Sequence, residues 1–495
     1  MARGDRILGR RFHPGRHRPA AGGRLISKAE GRKHVVKLAG QKVVVIGLAR
    51  SGLASIRLLL ADRAHVTVND KRGEAALLPE ECVFLAQHPE VQFVGGGHPS
   101  GLVDGKTALV IKNPGVPPGL PPLKEAARLG VPVITEVEYA FWKMKAMLVA
   151  VTGTNGKTTT TALTGEIYKA AGRKTFTAGN IGFPLTAVVQ EAGEDDVIVA
   201  ELSSFQLEGT LTFRPHLCAI LNLTPDHLDR HGSFAAYAAA NARIFANQRE
   251  DNAVVLNADD PQTKKLAGRS ASRIYFFSRK EEVERGAFLR GGFIVLRDGE
   301  REEEICRAQN VAIPGAHNLE NALAAALLAW LGGVEAEVIA GVLRSFPGVP
   351  HRLEFVRTIK GVDYINDSKG TNPDATIKAL EAIQKKVILI AGGYEKGADF
   401  TPLVKAMQGK VGHAVLIGQV AERLGRALAG AGFDAYTFAK TLEEAVAMAA
   451  NMARPGDVVL LSPACASWDM FRDFEERGEV FKKAVRSLEG QINGR

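Results

Sequence analysis

The segment Gly153-Thr154-Asn155-Gly156-Lys157-Thr158-Thr159 limits what this chain can fold into more than any other stretch. It stands between an apolar run, 147–151, and residues of helical spacing that continue to 172. A strand that turns through glycines into a helix offers backbone N–H groups and the positive end of the helix to an anion, so the segment reads as a phosphate loop. In that reading Lys157 reaches the β- and γ-phosphates and Thr158 can ligate Mg²⁺. The strict pattern G-x-x-x-x-G-K-[ST] is not met, because Val151 occupies the first glycine position.

The same strand, glycine turn and helix open the chain proper. KVVVIG at 42–47 is continuously apolar, helical spacing follows over 53–61, and a second strand, HVTVND, ends in Asp70. That acid stands about twenty residues after the first turn, where a dinucleotide-type fold places a carboxylate for a ribose hydroxyl. The turn GLARSG has Ala49 where the middle glycine of G-x-G-x-x-G belongs. Nucleotide binding and a plain βα turn are therefore both open here.

A length of 495 residues implies three domains at about 100 to 200 residues each. A proline-rich loop at 109–122 and the irregular SFPGVPHR at 345–352 set the divisions. The expected plan is a basic, disordered extension over 1–40 and a Rossmann-like domain over 41–135. A central P-loop ATPase-type parallel sheet over 136–348 and a Rossmann-like α/β domain over 349–495 complete it. The last rests on the apolar runs 387–393, 414–418 and 458–464, and residues 318–343 are expected to be helical.

With 46% hydrophobic and 24% charged residues the chain is an ordinary folded protein. Its net charge of +9 suggests a nucleic-acid or membrane partner only if it is spread over a folded surface. It is not: eight Arg and three Lys against Asp5 and Glu30 put the whole +9 within residues 1–40. A mis-started extension and a functional basic arm are both compatible with that segment. The four cysteines are far apart and suggest neither a metal clamp nor a disulfide framework, which fits a reducing cytoplasm. The longest uncharged apolar stretch, 322–334, is too short to cross a bilayer. No nucleic acid and no membrane span are expected.

Three further clusters sit where α/β sheets place ligands, just past strand ends. Glu201 ends the run 196–201 and reads as a metal-holding carboxylate or a surface acid. NLTPDHLDRHGS at 222–233 crowds Asp226, His227, Asp229, Arg230 and His231 into one turn, for metal or phosphate work or as a solvated loop. The segment from Asn366 to Pro373 offers a cation, an acid and small donors. His351-Arg352 at the second division reads as a cation for a triphosphate or an interdomain salt bridge.

Taken together, TGTNGKTTT, GNIG (179–182), ELSSFQLE (201–208), NLTPDHLDRHGS, HNLENALAA, HRLE (351–354), NDSKGTNPDAT and LLSPACASWDMFRDFEERG closely resemble the Mur ligases from about residue 41 to the C-terminus. GLARSG and the ending most resemble the branch that adds D-glutamate to UDP-N-acetylmuramoyl-L-alanine. The resemblance implies an acyl-phosphate route driven by ATP, with Mg²⁺, two ions being expected, in a cytoplasmic monomer that makes a peptidoglycan precursor. It implies phosphate and metal roles for Lys157, Thr158, Glu201 and His227, adenine contact by Asn321, and ribose and phosphate contacts by Arg352 and Asp367. Lys369 is implied to hold the transferring phosphoryl group. The UDP-sugar is implied to meet Gly47, Ala49, Arg50, Ser51, Asp70, Arg72, Asn113, Gly115, Asn180 and Ser203. D-Glutamate is implied to meet Thr371, Lys396, Ser467 and Phe474.

One position departs from the family pattern. Where the family often has a lysine modified to a carbamate that helps hold a second Mg²⁺, this chain has Asn241. The expectation is a weak oxygen ligand, or a site needing none from this helix. The competing functions are a Mur-type or folylpolyglutamate-type ligase for another amino acid, and a homologue that binds nucleotide without turnover.

Overall fold

The computed structural model describes residues 37–394 and 397–488, in two compact units that meet in sequence at Trp142 and Lys143. In the first unit five parallel strands lie in the order Gln92–Val94, His65–Asn69, Lys42–Ile46, Thr107–Lys112, Val133–Ile134. Thr107–Lys112 is buried throughout, as expected for a strand covered on both faces. The strand order reverses on either side of Lys42–Ile46, which opens a crevice at the strand ends beyond Ile46 and Lys112. Leu38 is already buried, so the packed part of the chain begins before residue 41.

The second unit carries two sheets. Its nine-stranded sheet centres on Met147–Thr152, flanked by Val197–Glu201 and Thr175–Gly179 on one side and Leu217–Ile220, Ala253–Asn257 and Arg273–Phe277 on the other, all parallel. The expected parallel sheet is present, with Arg285–Arg290 added in parallel and an antiparallel addition beyond it at one edge. Phe293–Asp298 and Arg301–Arg307 form that addition as successive hairpins, and the charged side chains of REEEICR lie on this outer edge. The 318–343 segment is two helices, Ala316–Leu331 and Ala336–Ser345, parted by Gly332-Gly333. The first is apolar nearly all round and packs on Lys157–Ala170, fixing the helix that follows the phosphate loop.

The six-stranded sheet runs Glu354–Ile359, Val362–Asn366, Val458–Leu461, Val387–Gly392, Val411–Ile417, Tyr436–Phe438, parallel except for its first pair. The carboxyl ends of Val362–Asn366 and Val458–Leu461 are adjacent, so the segments leaving them run side by side. Among the described residues no helix is long and apolar enough to cross a membrane.

Candidate active site

The phosphate loop leaves the buried strand Met147–Thr152 and enters the helix Lys157–Ala170. Glycine is required twice. A Cβ on Gly153, at φ 139°, would press on the backbone of Leu221 and Asn222 at 3.1 Å, and one on Gly156 would lie 2.2 Å from Asn321 Oδ1. Asn155 N–H donates to Asn222 Oδ1 (2.8 Å) and Thr154 Oγ1 donates to Thr224 O (3.1 Å), pinning the loop. Lys157 Nζ folds back onto the carbonyls of Gly153 and Thr154 (2.7 and 2.8 Å).

Glu201 ends the neighbouring strand, 1% exposed, and accepts from Thr158 Oγ1 and from Asn180 Nδ2, each at 2.7 Å. Burial alone would raise its carboxyl. The ammonium groups of Lys369 and Lys157, with the Asn180 and Thr158 donors, outweigh burial and hold it below the usual range. Burial pulls both lysines below their ordinary values, and Glu201 opposes this for each. Residues of two sheets thus share one electrostatic cluster. Among the described residues no group of three or more His, Cys, Asp or Glu could hold a metal. The Thr158 hydroxyl and Glu201 carboxylate are nevertheless hard oxygen donors that suit Mg²⁺, an ion commonly held by one or two carboxylates with phosphates and water.

Beside the loop is a pocket lined by Asn155, Gly156, Thr159, Asn321, Arg352 and Asp367. Among the described residues Thr159 Oγ1 and Arg352 Nε, both buried there, have no hydrogen-bond partner, and unsatisfied polar atoms facing a pocket suit a polar ligand such as a nucleotide. His317 and Phe277 also line it, and sequence reasoning missed both. Burial, reinforced by Arg352, Lys378 and Arg279, pushes His317 down to about 4, so its imidazole is neutral. Its signal was its place at the start of HNLENALAA; Phe277 ends a strand with no motif.

Asp367 is 1% exposed and accepts from Ser462 Oγ (2.8 Å) and Leu353 N–H (3.2 Å), with Arg352 Nη1 at 4.0 Å. Burial pushes its carboxyl up to about 6 against these partners. A raised carboxyl gains its proton as pH falls through that value, so the free protein loses this charge below about pH 6. The expected result is that kcat/KM for ATP declines as pH falls below about 6, and that Asp367→Asn, lower by roughly tenfold at pH 7.5, lacks that part of the decline. A pH–rate profile of both proteins checks it.

Lys369 Nζ stands over the Phe474 ring, 4.7 Å from its centroid. Ser467 is buried at 2% exposure, and Thr371 N–H donates to Lys369 O (2.9 Å). Lys396 lies outside the described residues.

Within the first unit, Gly47, Ala49, Arg50, Asp70, Arg72, Asn113 and Gly115 line one pocket in the strand-end crevice. Ser51 joins them through a bond from Asn113 Nδ2 (2.9 Å). The turn works without a middle glycine: Ala49 has φ −83°, open to any residue, whereas a Cβ on Gly52 would lie 2.1 Å from Gly47 O. Asp70 accepts from Leu48 N–H (2.8 Å) and from Arg72, whose guanidinium also forks onto Glu81 (2.9 and 3.0 Å). Burial would raise Asp70, but Arg72 and the backbone donors hold it at about 2. Both residues are thereby fixed by each other, a packing the motif alone did not foretell.

Three residues do local work. Ser203 caps the helix Ser204–Glu208 in a reciprocal bond with Gln206. His227, at φ 52°, packs its ring 4.9 Å from that of Phe205, with Nε2 3.7 Å from Asp226 Oδ2. Asn241 is 1% exposed; its Oδ1 accepts from Thr152 Oγ1 (2.8 Å) and its Nδ2 donates to Tyr237 O (2.9 Å). Asn241 therefore ties its helix to the phosphate-loop strand. Its amide is buried and engaged within the fold, which disfavours a ligand role at a second metal.

The chain belongs to the Mur ligase family. The MurD-like N-terminal domain matches residues 41–135, the Mur ligase middle domain 151–329, and the Mur ligase glutamate ligase domain 351–465. It is accordingly an ATP-dependent ligase that forms amide bonds. Within the family its relatives include the UDP-N-acetylmuramoylalanine--D-glutamate ligase of Pelotomaculum thermopropionicum, 50% identical over 90% of this chain and 98% of that protein. The enzyme of the same name from Thermoanaerobacter sp. is 48% identical over 92% of this chain and 100% of its own. Among solved structures, MurF from Acinetobacter baumannii aligns over 91% of both chains (TM-score 0.58, 18% identity). The UDP-N-acetylmuramate-alanine ligase MurC from Thermotoga maritima aligns over 90% of this chain and 99% of its own (TM-score 0.57, 21% identity). Both likenesses concern the fold.

Proposed function

We propose that this protein joins D-glutamate to UDP-N-acetylmuramoyl-L-alanine in the cytoplasm, a step in making peptidoglycan precursors. The observation that carries this reading is the convergence of Lys157 and Lys369, from different sheets, on the buried carboxylate Glu201 beside the pocket lined by Asn155, Asn321, Arg352 and Asp367.

The γ-phosphoryl group passes from ATP to the alanyl carboxylate: the bond to the bridging oxygen breaks, a carboxylate oxygen–phosphorus bond forms, and ADP leaves. The neutral D-glutamate amine then attacks the acyl carbon, the carbon–oxygen bond to phosphate breaks, the nitrogen gives up one proton that the departing phosphate takes up, and an amide and phosphate result. Phosphorylation is needed because a carboxylate oxygen is a poor leaving group. Lys157 turns from its loop carbonyls to the β- and γ-phosphates, Arg352 and Asp367 hold the ribose and phosphates, and Asn321 meets adenine. Lys369 stabilises the charge on the phosphoryl group in flight. Thr158 and Glu201 are the residues to hold Mg²⁺, which supplies neutralisation of phosphate charge. Asn180, on Glu201, keeps that carboxylate aimed and faces the acceptor substrate. The first-unit pocket takes the UDP group, and Thr371, Lys396, Ser467 and Phe474 take D-glutamate, a dicarboxylate suited to a cation, hydroxyls and an apolar wall.

Labelling the substrate carboxylate with ¹⁸O tests the route. The expected result is one labelled oxygen in the phosphate released; unlabelled phosphate alongside amide product would refute an acyl phosphate.

A further inference from the structure

Arg477 lies on the buried face of the helix Phe474–Ser487, is 1% exposed, and among the described residues makes no hydrogen bond to a carboxylate. Its guanidinium faces two loops instead. Nε donates to Ser368 Oγ (3.0 Å) and Nη2 to Ser368 O (2.8 Å), immediately before Lys369. Nη1 donates to the carbonyls of Cys465 and Ala466 (3.2 and 3.3 Å), immediately before Ser467. Ser368 Oγ in turn donates to Phe474 O (2.8 Å), closing the set on the first residue of the same helix. Burial draws the guanidinium down to about 10, which leaves it charged at neutral pH. A buried cation held by neutral carbonyls is costly, and only a planar fork of donors meets acceptors on two separate segments at once.

We infer that Arg477 is a positioning residue that locks the loop bearing Lys369 to the loop bearing Ser467 and to Phe474. The lysine for the phosphoryl group and the amino-acid pocket are then held in one register, and the amine arrives where the acyl phosphate forms. This rests on the functional reading above. Replacement by lysine keeps the charge and loses the fork. Ser368→Ala removes one accepted and one donated bond while leaving the guanidinium in place.

The test is steady-state kinetics of the full-length protein with the amino acid that the wild type accepts. Arg477→Lys is expected to raise KM for that amino acid about tenfold or more, with KM for ATP within twofold. Ser368→Ala is expected to raise the same KM two- to fivefold. A merely structural arginine would lower kcat in proportion to the folded fraction seen by circular dichroism and leave both KM values alone, and that result overturns the inference. If Arg477→Lys does not fold, an unchanged amino-acid KM in Ser368→Ala overturns it equally. A wild type that turns over with D-glutamate while the variants keep its KM refutes the lock alone; a wild type without amino-acid-dependent turnover refutes the functional reading, and the lock falls with it.

Discussion

Lys369→Met lowers kcat by about three orders of magnitude while leaving the fold and the KM for ATP nearly unchanged. Methionine keeps the length and apolar stem that pack against Phe474, so what is lost is the charge. That charge is held in a partly dry site where burial opposes it and Glu201 supports it. A protein keeps such a cation where charge develops during reaction, and removing one preorganised stabiliser of a transition state costs roughly 10²- to 10³-fold, with charged groups at phosphoryl transfer at or above the upper end. Stability falls only in part, because Glu201 loses one of its two ammonium partners while the cost of burying that ammonium is removed. Steady-state rates and a thermal melt check both halves; a kcat within tenfold of wild type would remove Lys369 from the chemistry.

Glu201→Gln has the second large effect, and it strikes stability as well as rate. The carboxylate accepts from Thr158 and Asn180 and opposes two buried ammonium groups. Glutamine keeps the shape, but Thr158 and Asn180 donate to different oxygens of Glu201, so the NH₂ that replaces one of them puts a donor where an acceptor stood. kcat/KM is expected to fall about 10³-fold with a higher Mg²⁺ requirement, and stability by about 3 kcal/mol because buried charges lose their partner. Glu201 is held below its ordinary value, so its stabilising contribution is present above the usual carboxylate range and lost as pH falls through its folded value. The melting difference between wild type and variant should thus be widest near pH 7 and narrow in acid. Equal melting temperatures at pH 7 would contradict this.

The parts of the fold visible in the sequence were those where one physical demand dominates. Met147–Thr152 and Thr107–Lys112 are buried on both faces and so read as unbroken apolar runs, and glycines mark turns that admit no Cβ. The hairpins over 285–307 escaped notice because the strands Arg285–Arg290 and Arg301–Arg307 are half polar and lack a long apolar run, although Gly291-Gly292 and Gly299-Glu300 mark their turns. His317 and Phe277 reach the nucleotide pocket from segments forty residues apart, a proximity only the packed sheet creates. Arg477 reads as one more charge in FRDFEERGE, although residues 474, 477, 478, 481 and 485 fall on one helical face, and a charge on an otherwise buried face was the available signal. Ser203 and Asn241 show the opposite lesson: each stands at a family position, yet its side chain is engaged by Gln206, or by Thr152 and Tyr237.

The measurement that bears most directly on this account is phosphate release from ATP in the presence of UDP-N-acetylmuramoyl-L-alanine, with D-glutamate, L-glutamate, other amino acids or none. The account predicts release only with D-glutamate, matched mole for mole by an amide product of the expected mass. Release that favours another amino acid, or none with any acceptor, would contradict it.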